Sequence, residues 1–212
     1  MLPHVLHVSG DFPDPFEPFK TPVIRSLIDL TRDDFQHEVV SINRAKPDKA
    51  GIILDTLSSF GHPALEVQSE RFEYGIALRY FAPSRGILHE TMLDQVGDWL
   101  VDEIRSRACR PELLVAHKLS IEGIAVQHAA QEIGIPYALS IQGDTDTKIV
   151  AARPDLKRRF ASVLADAAHV FPFTPWALDQ LTHRLGRRPN GITMLPCPTD
   201  LDTPLPPQAS VK

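Results

Sequence analysis

LLVAHKLSIEGIAVQHAAQEIGIPYALSIQGDTD, residues 113–146, contains two apolar runs that each end in a polar cluster. Leu113–Ala116 is followed by His117, and Tyr137–Ile141 is followed by Gln142–Asp144, with a segment of helical period between the runs. Parallel α/β sheets bind ligands in the crevice outside the carboxyl ends of their strands. The stretch therefore predicts a βαβ unit whose two strand ends share one pocket.

The same alternation of short apolar runs and helical segments continues along the rest of the chain. It predicts seven strands: His4–Val8, Glu38–Ile42, Leu78–Phe81, Leu113–Ala116, Tyr137–Ile141, His169–Phe173 and Ile192–Leu195. The predicted helices are a Thr21-Pro22 start running to about Arg32, a short helix Ile52–Phe60, Ile87–Arg107, a Ser120-capped helix to about Glu132, a helix from Pro154, and a Thr174-Pro175 start ending at Gly186. This pattern is typical of an α/β fold with a Rossmann-like, doubly wound, mostly parallel sheet covered on both faces.

Composition limits the class of protein. The chain has 212 residues, 43% of them hydrophobic and 23% charged, which is typical of a soluble globular protein. A net charge of -5 argues against nucleic acid as the main partner. Cys109 and Cys197 lie far apart in the sequence and suggest neither a disulfide framework nor a metal site. We expect no secretory signal, no membrane span and a cytoplasmic location.

Several short motifs occur in one order along the chain: VSGDFPD with Gly10, the Thr-Pro helix start, the EG pair of KLSIEG, the GIPY strand entry, QGDTD, HVFPFTPWALDQL and MLPCPTD. Together they resemble the N-terminal half of family 4 glycosyltransferases, which are GT-B enzymes of the glycosyl transferase group 1 type. The resemblance runs from about Val5 to Asp200. It implies an N-terminal, acceptor-side domain over residues 1–196 and a proline-rich linker or tail over residues 197–212.

The family resemblance implies a reaction and a division of labour. In the family, the N-terminal domain mostly holds the acceptor and the C-terminal domain binds a nucleotide diphosphate sugar, which is the co-substrate of the full-length enzyme. The implied reaction moves a sugar to a hydroxyl group, usually with retention and without a bound metal or other cofactor. The donor domain is absent from this sequence, so we expect the chain alone to be inactive. It could join a donor domain of the same or a separate chain.

By resemblance, seven residues would line the substrate site: Gly10, Asp11, His117, Glu122, Gln142, Gly143 and Asp144. Gly10 falls on the turn where backbone N–H groups approach the donor phosphate, and the others fall on acceptor-facing loops. Many family members have histidine where Gln142 stands, and an amide can only hydrogen-bond and position. Gln142 and Asp144 are the candidates for a catalytic role, and neither is assigned one.

Each candidate also has a purely structural interpretation. Gly10 could serve a tight turn, and Glu122 could stabilise a helix N-terminus through the helix dipole. His117 could be an ordinary hydrogen-bonded histidine, although a crevice shared with Asp144 would favour function. Asp144 and Asp146 are expected in a loop, where either could form a turn or a cap.

Two other function classes stay open. One is a free-standing, non-catalytic module that binds a partner or a glycan. The other is half of another GT-B enzyme such as a sugar-nucleotide epimerase, whose acid/base groups could come only from His117, Glu122 and Asp144. The expected ligand is a sugar or lipid-linked acceptor, with weak peripheral membrane contact through Lys157–Arg159 as an alternative to a solvated helix face. The Arg184, Arg187 and Arg188 group would join that contact only as part of one patch.

Overall fold

The computed structural model describes residues 2–45, 65–82, 88–187 and 191–197. The chain forms a mostly parallel α/β sheet of seven strands, in the order β3-β4-β2-β1-β5-β6-β7. The strands are β1 His4–Ser9, β2 Gln36–Ala45, β3 Val67–Phe72, β4 Gly75–Phe81, β5 Leu113–Ala116, β6 Tyr137–Ile141 and β7 His169–Pro172. All neighbouring pairs are parallel except β3 and β4. The predicted fold class is confirmed.

Six α-helices are described: α1 Val23–Thr31, α2 His89–Arg105, α3 Glu122–Ile133, α4 Asp144–Ala152, α5 Lys157–Asp166 and α6 Pro175–Leu185. A 3-10 turn, Pro154–Leu156, precedes α5. Thr174 caps α6 as expected, because its hydroxyl accepts the Ala177 N–H at 3.3 Å. Gly134 ends α3 in the left-handed conformation that the sequence predicts for a helix C-terminus.

The two faces of the sheet are covered unequally. Helices α2, α3, α5 and α6 pack on one face, where their apolar residues join Leu6 and Val8 of β1 in the main core. On the other face α1 packs through Ile24 and Ile28 against Val39. That second face also carries a small apolar cluster of Val5 from β1, Val115 from β5 and Ala138 from β6. We call the face covered by α2, α3, α5 and α6 the α3 face, and the opposite face the α1 face.

Three local predictions were wrong. Ile192–Leu195 is not a strand of the sheet, because it forms a single isolated bridge, between Ile192 and Val170. The strand that brings the number to seven is β3, which was not predicted and which pairs antiparallel with β4 at the edge of the sheet. Ser120 does not cap α3, because Ile121 occupies the N-cap position and the Ser120 hydroxyl donates to Asp146. Residues 144–152, expected to begin as a loop, form α4.

Other boundaries agree to within a few residues or lie outside the described part of the chain. The strands β5 and β6 have the predicted bounds, and α1 begins one residue later than predicted, at Val23. The predicted helix Ile52–Phe60 falls outside the described residues, as does the predicted tail beyond Cys197. The division into a domain and a tail therefore stays a prediction.

Candidate functional site

Two hydrogen bonds join the loop after β1 to the segment after β5, at the carboxyl ends of these strands. Because these strands are adjacent and parallel, the residues that follow them meet at one edge of the sheet. Lys118, which follows His117, donates from Nζ to Asp11 Oδ1 at 2.6 Å. The Gly10 N–H donates to Glu122 Oε1. We call Gly10, Asp11, Lys118 and Glu122 the edge cluster.

Glu122 is the first residue of α3, and its side chain is fully buried. Burial raises the pKa of its carboxyl to about 7, although Lys118 and the Gly10 N–H favour the ionised form. Its second oxygen, Oε2, has no hydrogen-bond partner among the described residues. A carboxyl in this state can take up or release a proton near neutral pH.

Gly10 allows the close approach of this carboxyl to the main chain. Its φ lies outside the left-handed region, so a turn does not require glycine here. A Cβ at this position would lie 3.0 Å from Glu122 Oε1 and 3.7 Å from the Ile42 carbonyl oxygen. The residue is therefore needed for space beside Glu122, which is a role that the sequence alone did not suggest.

Asp146 holds the loop that carries Lys118. It lies in the first turn of α4, is buried, and accepts the Leu119 N–H at 3.0 Å and the Ser120 N–H at 2.8 Å. The Ser120 hydroxyl donates to the same carboxyl at 2.6 Å. Burial raises the pKa of Asp146, and these hydrogen bonds oppose the shift. Asp146 thus fixes the β5–α3 loop, a long-range role that differs from the local turn or cap expected from the sequence.

The loop after β1 has its own anchor in Asp14. Its buried carboxyl accepts Asn43 Nδ2 at 2.9 Å, Lys20 Nζ at 3.0 Å and the Phe16 N–H at 2.8 Å, and it also accepts the Ser41 hydroxyl. Burial would raise the pKa of Asp14, but the hydrogen bonds from Ser41, Asn43 and Lys20 lower it overall. These contacts tie the 11–20 loop to the end of β2.

The three predicted residues after β6 are placed differently from one another. Gln142 is partly buried, with Nε2 lacking a partner among the described residues. Nothing lies within 4 Å of a Cβ placed on Gly143, so this residue faces open space. Asp144 is exposed and forms an ion pair with Lys148 one turn along α4, which lowers the pKa of Asp144. Asp144 therefore stands at the rim.

His117 lies on the α1 face and is not paired with Asp144. It is buried, and its Nε2 lies 3.0 Å from His7 Nδ1. His7 Nε2 lies 2.9 Å from His37 Nδ1, and His37 Nε2 lies 2.9 Å from Thr31 Oγ1. Burial lowers the pKa of His117 to about 3 and that of His7 well below 6.5. We call His7, His37 and His117 the histidine chain.

The basic residues considered for membrane contact lie in α5 and at the end of α6, and they differ in exposure and partners. Arg159 lies 2.6 Å from Asp94 and 3.6 Å from Glu90, whereas Lys157 and Arg158 are exposed. Arg184 and Arg187 are exposed at the end of α6, and Arg188 lies outside the described residues. Within the described ranges, no three His, Cys, Asp or Glu side chains gather as metal ligands would. None of the described helices combines the length and apolar character needed to cross a membrane.

Comparison with known proteins finds similarity only at the level of structure. No family model matches the chain, and no curated protein matches it. Arabidopsis thaliana UGT89C1 complexed with quercetin aligns with a TM-score of 0.49 and 13% identity, over 92% of this chain and 50% of that one. LpCGTa in complex with UDP aligns with a TM-score of 0.46 and 12% identity, over 92% and 53%.

A third structure, described as trehalose-6-phosphate from E. coli bound with UDP-2-fluoro glucose, aligns with a TM-score of 0.47 and 10% identity, over 87% of this chain and 43% of that one. These three neighbours are GT-B glycosyltransferases at low identity. The chain spans about half the length of the structures it matches. At TM-scores this low the similarity carries no argument about substrate or reaction, and the fold rests on the sheet topology described above.

Proposed function

We propose that this chain is the acceptor-binding half of a glycosyltransferase that moves a sugar from a nucleotide diphosphate sugar to a hydroxyl acceptor, in glycan, polysaccharide or glycolipid synthesis. The ordered motifs of the sequence motivate the proposal. The edge cluster supports it, because a buried carboxyl and a lysine–aspartate pair meet at the sheet edge where parallel α/β folds bind ligands. Of these observations, the contact of Glu122 with the Gly10 N–H carries the proposal.

The chemistry of the edge cluster suits a hydroxyl acceptor. An attacking hydroxyl must lose its proton, and a carboxyl whose pKa is about 7 can accept one at neutral pH. Oε2 of Glu122 is buried and has no partner among the described residues, so the proposal requires the covering loops to move before an acceptor hydroxyl meets this oxygen. The Gly10 N–H already donates to Glu122, so the proposal assigns Gly10 to holding the carboxyl. Lys118 and Asp11 would hydrogen-bond other acceptor hydroxyls.

The remaining predicted residues have supporting roles in this proposal. Gln142 would hydrogen-bond the acceptor, Gly143 would leave room for it, and Asp144 would stand at the entrance. His117 would take no direct part, because its ring belongs to the α1 face. The proposal includes retention of configuration, no bound metal, and a donor domain supplied by the same or a separate chain. It also includes a cytoplasmic location with weak contact to a membrane carrying the acceptor.

Binding measurements on the 212-residue chain test this proposal. We expect calorimetry with UDP, GDP and ADP to show weak or no binding, and a glycan array to show binding of a defined group of oligosaccharides or glycolipids. Glu122→Gln should weaken glycan binding about tenfold, as expected for loss of a charge-assisted hydrogen bond. Glu70→Gln, which changes an exposed residue of β3, is the matched control and should leave binding unchanged. Tight nucleotide binding, or glycan binding that is insensitive to Glu122→Gln, would contradict the proposal.

A further inference from the structure

Two exposed aromatic side chains stand at the carboxyl edge of the sheet, on either side of the edge cluster. Phe19 lies in the loop after β1, which Asp14 ties to the end of β2, and it is 100% exposed. Trp176 lies in the first turn of α6, directly after β7, and it is 54% exposed. Because β2, β1, β5, β6 and β7 are all parallel, both segments leave the sheet at the edge where such folds bind ligands.

Phe19 is exposed although its loop is held in place. The next residue, Lys20, donates from Nζ to Asp14 Oδ2 at 3.0 Å and to Ser41 Oγ at 3.2 Å. The ring of Phe19 therefore projects into water from an anchored stretch of chain and adds nothing to the core of the fold. A large aromatic side chain in that position, on a loop at the ligand-binding edge, is a candidate for contact with a ligand.

Trp176 is held at the far side of the same edge. The Thr174 hydroxyl accepts the Ala177 N–H at 3.3 Å, and this cap fixes the turn that contains Trp176. Part of the indole is therefore presented to solvent by a regular helix terminus. Tryptophan combines a large apolar surface with one N–H donor, which suits binding of molecules that carry both apolar faces and hydroxyl groups.

The surface between the two aromatic residues is open and polar. The strands β1 and β7 are three strand spacings apart, a distance of about 14 Å. Between them lie the Asp11–Lys118 pair and Gly143, and nothing lies within 4 Å of a Cβ placed on Gly143. Asp144 is exposed next to it. The edge thus offers two apolar platforms with hydrogen-bonding groups between them.

We propose that Phe19 and Trp176 are stacking platforms for the sugar rings of an uncharged oligosaccharide acceptor that lies across the carboxyl edge. The C–H groups on one face of a pyranose ring can pack on an aromatic ring. The hydroxyls at the margin of the sugar can donate to carboxylates such as those of Asp11 and Asp144. This inference rests on the proposed function, since it names the chemical class of the acceptor.

The charges of the edge favour an uncharged acceptor. Three of its lysines are each paired with an aspartate: Lys20, Lys118 and Lys148. An anionic group would have to compete with these carboxylates for the lysines. The loop over residues 11–20, which carries Phe19, has three acidic residues and one lysine. That balance disfavours insertion of Phe19 into an anionic lipid surface.

Binding of neutral oligosaccharides to the 212-residue chain tests the role of Phe19. A glycan array selects the neutral oligosaccharide that binds most tightly, and calorimetry with that oligosaccharide compares the variants. We expect Phe19→Ala to weaken binding about tenfold and Phe19→Tyr, which keeps an aromatic ring, to stay within about threefold of the native chain. Leu30→Ala is the matched control, because Leu30 is an exposed apolar residue in the last turn of α1, and it should bind like the native chain.

The role of Trp176 has a second, spectroscopic readout. The chain has two tryptophans, and Trp99 packs against the main core, so a change in emission on oligosaccharide binding should arise from Trp176. Trp176→Phe should abolish this change and keep the affinity within about threefold, whereas Trp176→Ala should weaken binding about tenfold. All the variants should keep the native urea midpoint, which separates lost contact from lost folding.

The outcomes separate this inference from the sugar-transfer proposal. Native affinity in either Phe19→Ala or Trp176→Ala would overturn the inference, and it would leave the sugar-transfer proposal standing if Glu122→Gln still weakens binding. An array on which no glycan binds would overturn both. An array on which only charged glycans bind would overturn the inference alone. Binding to phosphatidylcholine vesicles without sugar, if lost in Phe19→Ala, would also overturn it and would assign Phe19 to a lipid contact.

Discussion

The adjacent strands β1 and β5 carry two buried polar clusters that differ in chemistry and in the side of the sheet they occupy. At the carboxyl edge, Glu122 of α3 binds the Gly10 N–H, and on the α1 face His117 binds His7. Burial raises the pKa of Glu122 to about 7 and lowers the pKa of His117 to about 3. Burial therefore favours the neutral form of both groups. It brings the pKa of the Glu122 carboxyl to neutral pH, where protons exchange readily, and it moves the pKa of the His117 imidazole away from neutral pH.

This difference changes which residue is the better candidate for proton transfer. A histidine whose pKa is near 3 stays neutral at physiological pH and can serve only as a fixed donor or acceptor. A carboxyl whose pKa is near 7 exchanges its proton in the range where an enzyme would use it. The edge cluster is therefore the candidate for proton transfer, and the histidine chain is a neutral hydrogen-bonded network inside the fold.

The largest expected effect comes from removing the carboxyl that holds the edge cluster in place. Asp146→Ala leaves the Leu119 N–H, the Ser120 N–H and the Ser120 hydroxyl without their acceptor. Unsatisfied buried donors are costly, so we expect a loss of about 4 kcal/mol in the free energy of unfolding, measured by urea denaturation. Asp144→Ala, two residues away and exposed, is the matched control and should leave the urea midpoint unchanged. Equal effects of the two variants would mean that Asp146 does not anchor the loop.

The second expected effect is a pH dependence of the free energy of unfolding that arises from titration of the Glu122 carboxyl. Its folded pKa of about 7 lies above the ordinary value of 4.5, so its contribution to stability is fully present below pH 4.5 and is lost as the pH rises through 7. Glu122→Gln removes this titration and keeps an oxygen acceptor for Gly10. Relative to the native chain, we expect the variant to gain about 2.5 kcal/mol between pH 5 and pH 8.

Urea unfolding at a series of pH values measures this gain. Glu70→Gln is the control, because Glu70 is exposed on β3 and its replacement should give a curve parallel to that of the native chain. A curve for Glu122→Gln that also runs parallel to the native one would show that Glu122 is ionised normally in the folded protein.

A smaller loss is expected from interrupting the histidine chain at its centre. His7→Leu leaves His117 Nε2 and His37 Nδ1 without their partners. We expect the free energy of unfolding to fall by about 2 kcal/mol at pH 8. His183→Leu, at an exposed position of α6, should change it by less than about 0.5 kcal/mol. If both replacements are neutral, the imidazoles are not linked as described.

Strands with apolar residues on both faces could be predicted from the sequence. Leu113–Ala116 and Tyr137–Ile141 have the predicted bounds because central parallel strands are buried on both sides. The strand β3 could not be found in this way, since Val67–Phe72 is an exposed edge strand with mostly polar residues. The apolar run Ile192–Leu195 gave the opposite error, because it donates main-chain hydrogen bonds to Val170 and Pro172 of β7 but forms a single isolated bridge instead of a strand.

Only those residues of the candidate site that belong to a recognisable sequence motif could be predicted. The motifs pointed to Gly10 and Glu122, and the structure shows that these two residues contact each other. Lys118 was missed, and Asp146 was expected only to form a local turn or cap, because their roles depend on partners 107 and 26 to 27 residues away that the sequence does not mark. The side of His117 could have been read from strand alternation, which places residues 113, 115 and 117 on one face.

The smallest predicted effect tests whether space beside Glu122 explains the glycine at position 10. A Cβ at Gly10 would lie 3.0 Å from Glu122 Oε1, so Gly10→Ala must displace the carboxyl slightly, and we expect a loss of about 1 kcal/mol in unfolding free energy. Gly143→Ala is the matched control at the end of β6, where nothing lies within 4 Å of an added Cβ, and it should cost less than about 0.5 kcal/mol. Because the cost of Gly10→Ala arises from the carboxyl, it should largely vanish in the Glu122→Ala background, which a double-mutant cycle by urea unfolding measures. An unchanged cost in that background would place the strain in the backbone near the Ile42 carbonyl and separate Gly10 from the edge cluster.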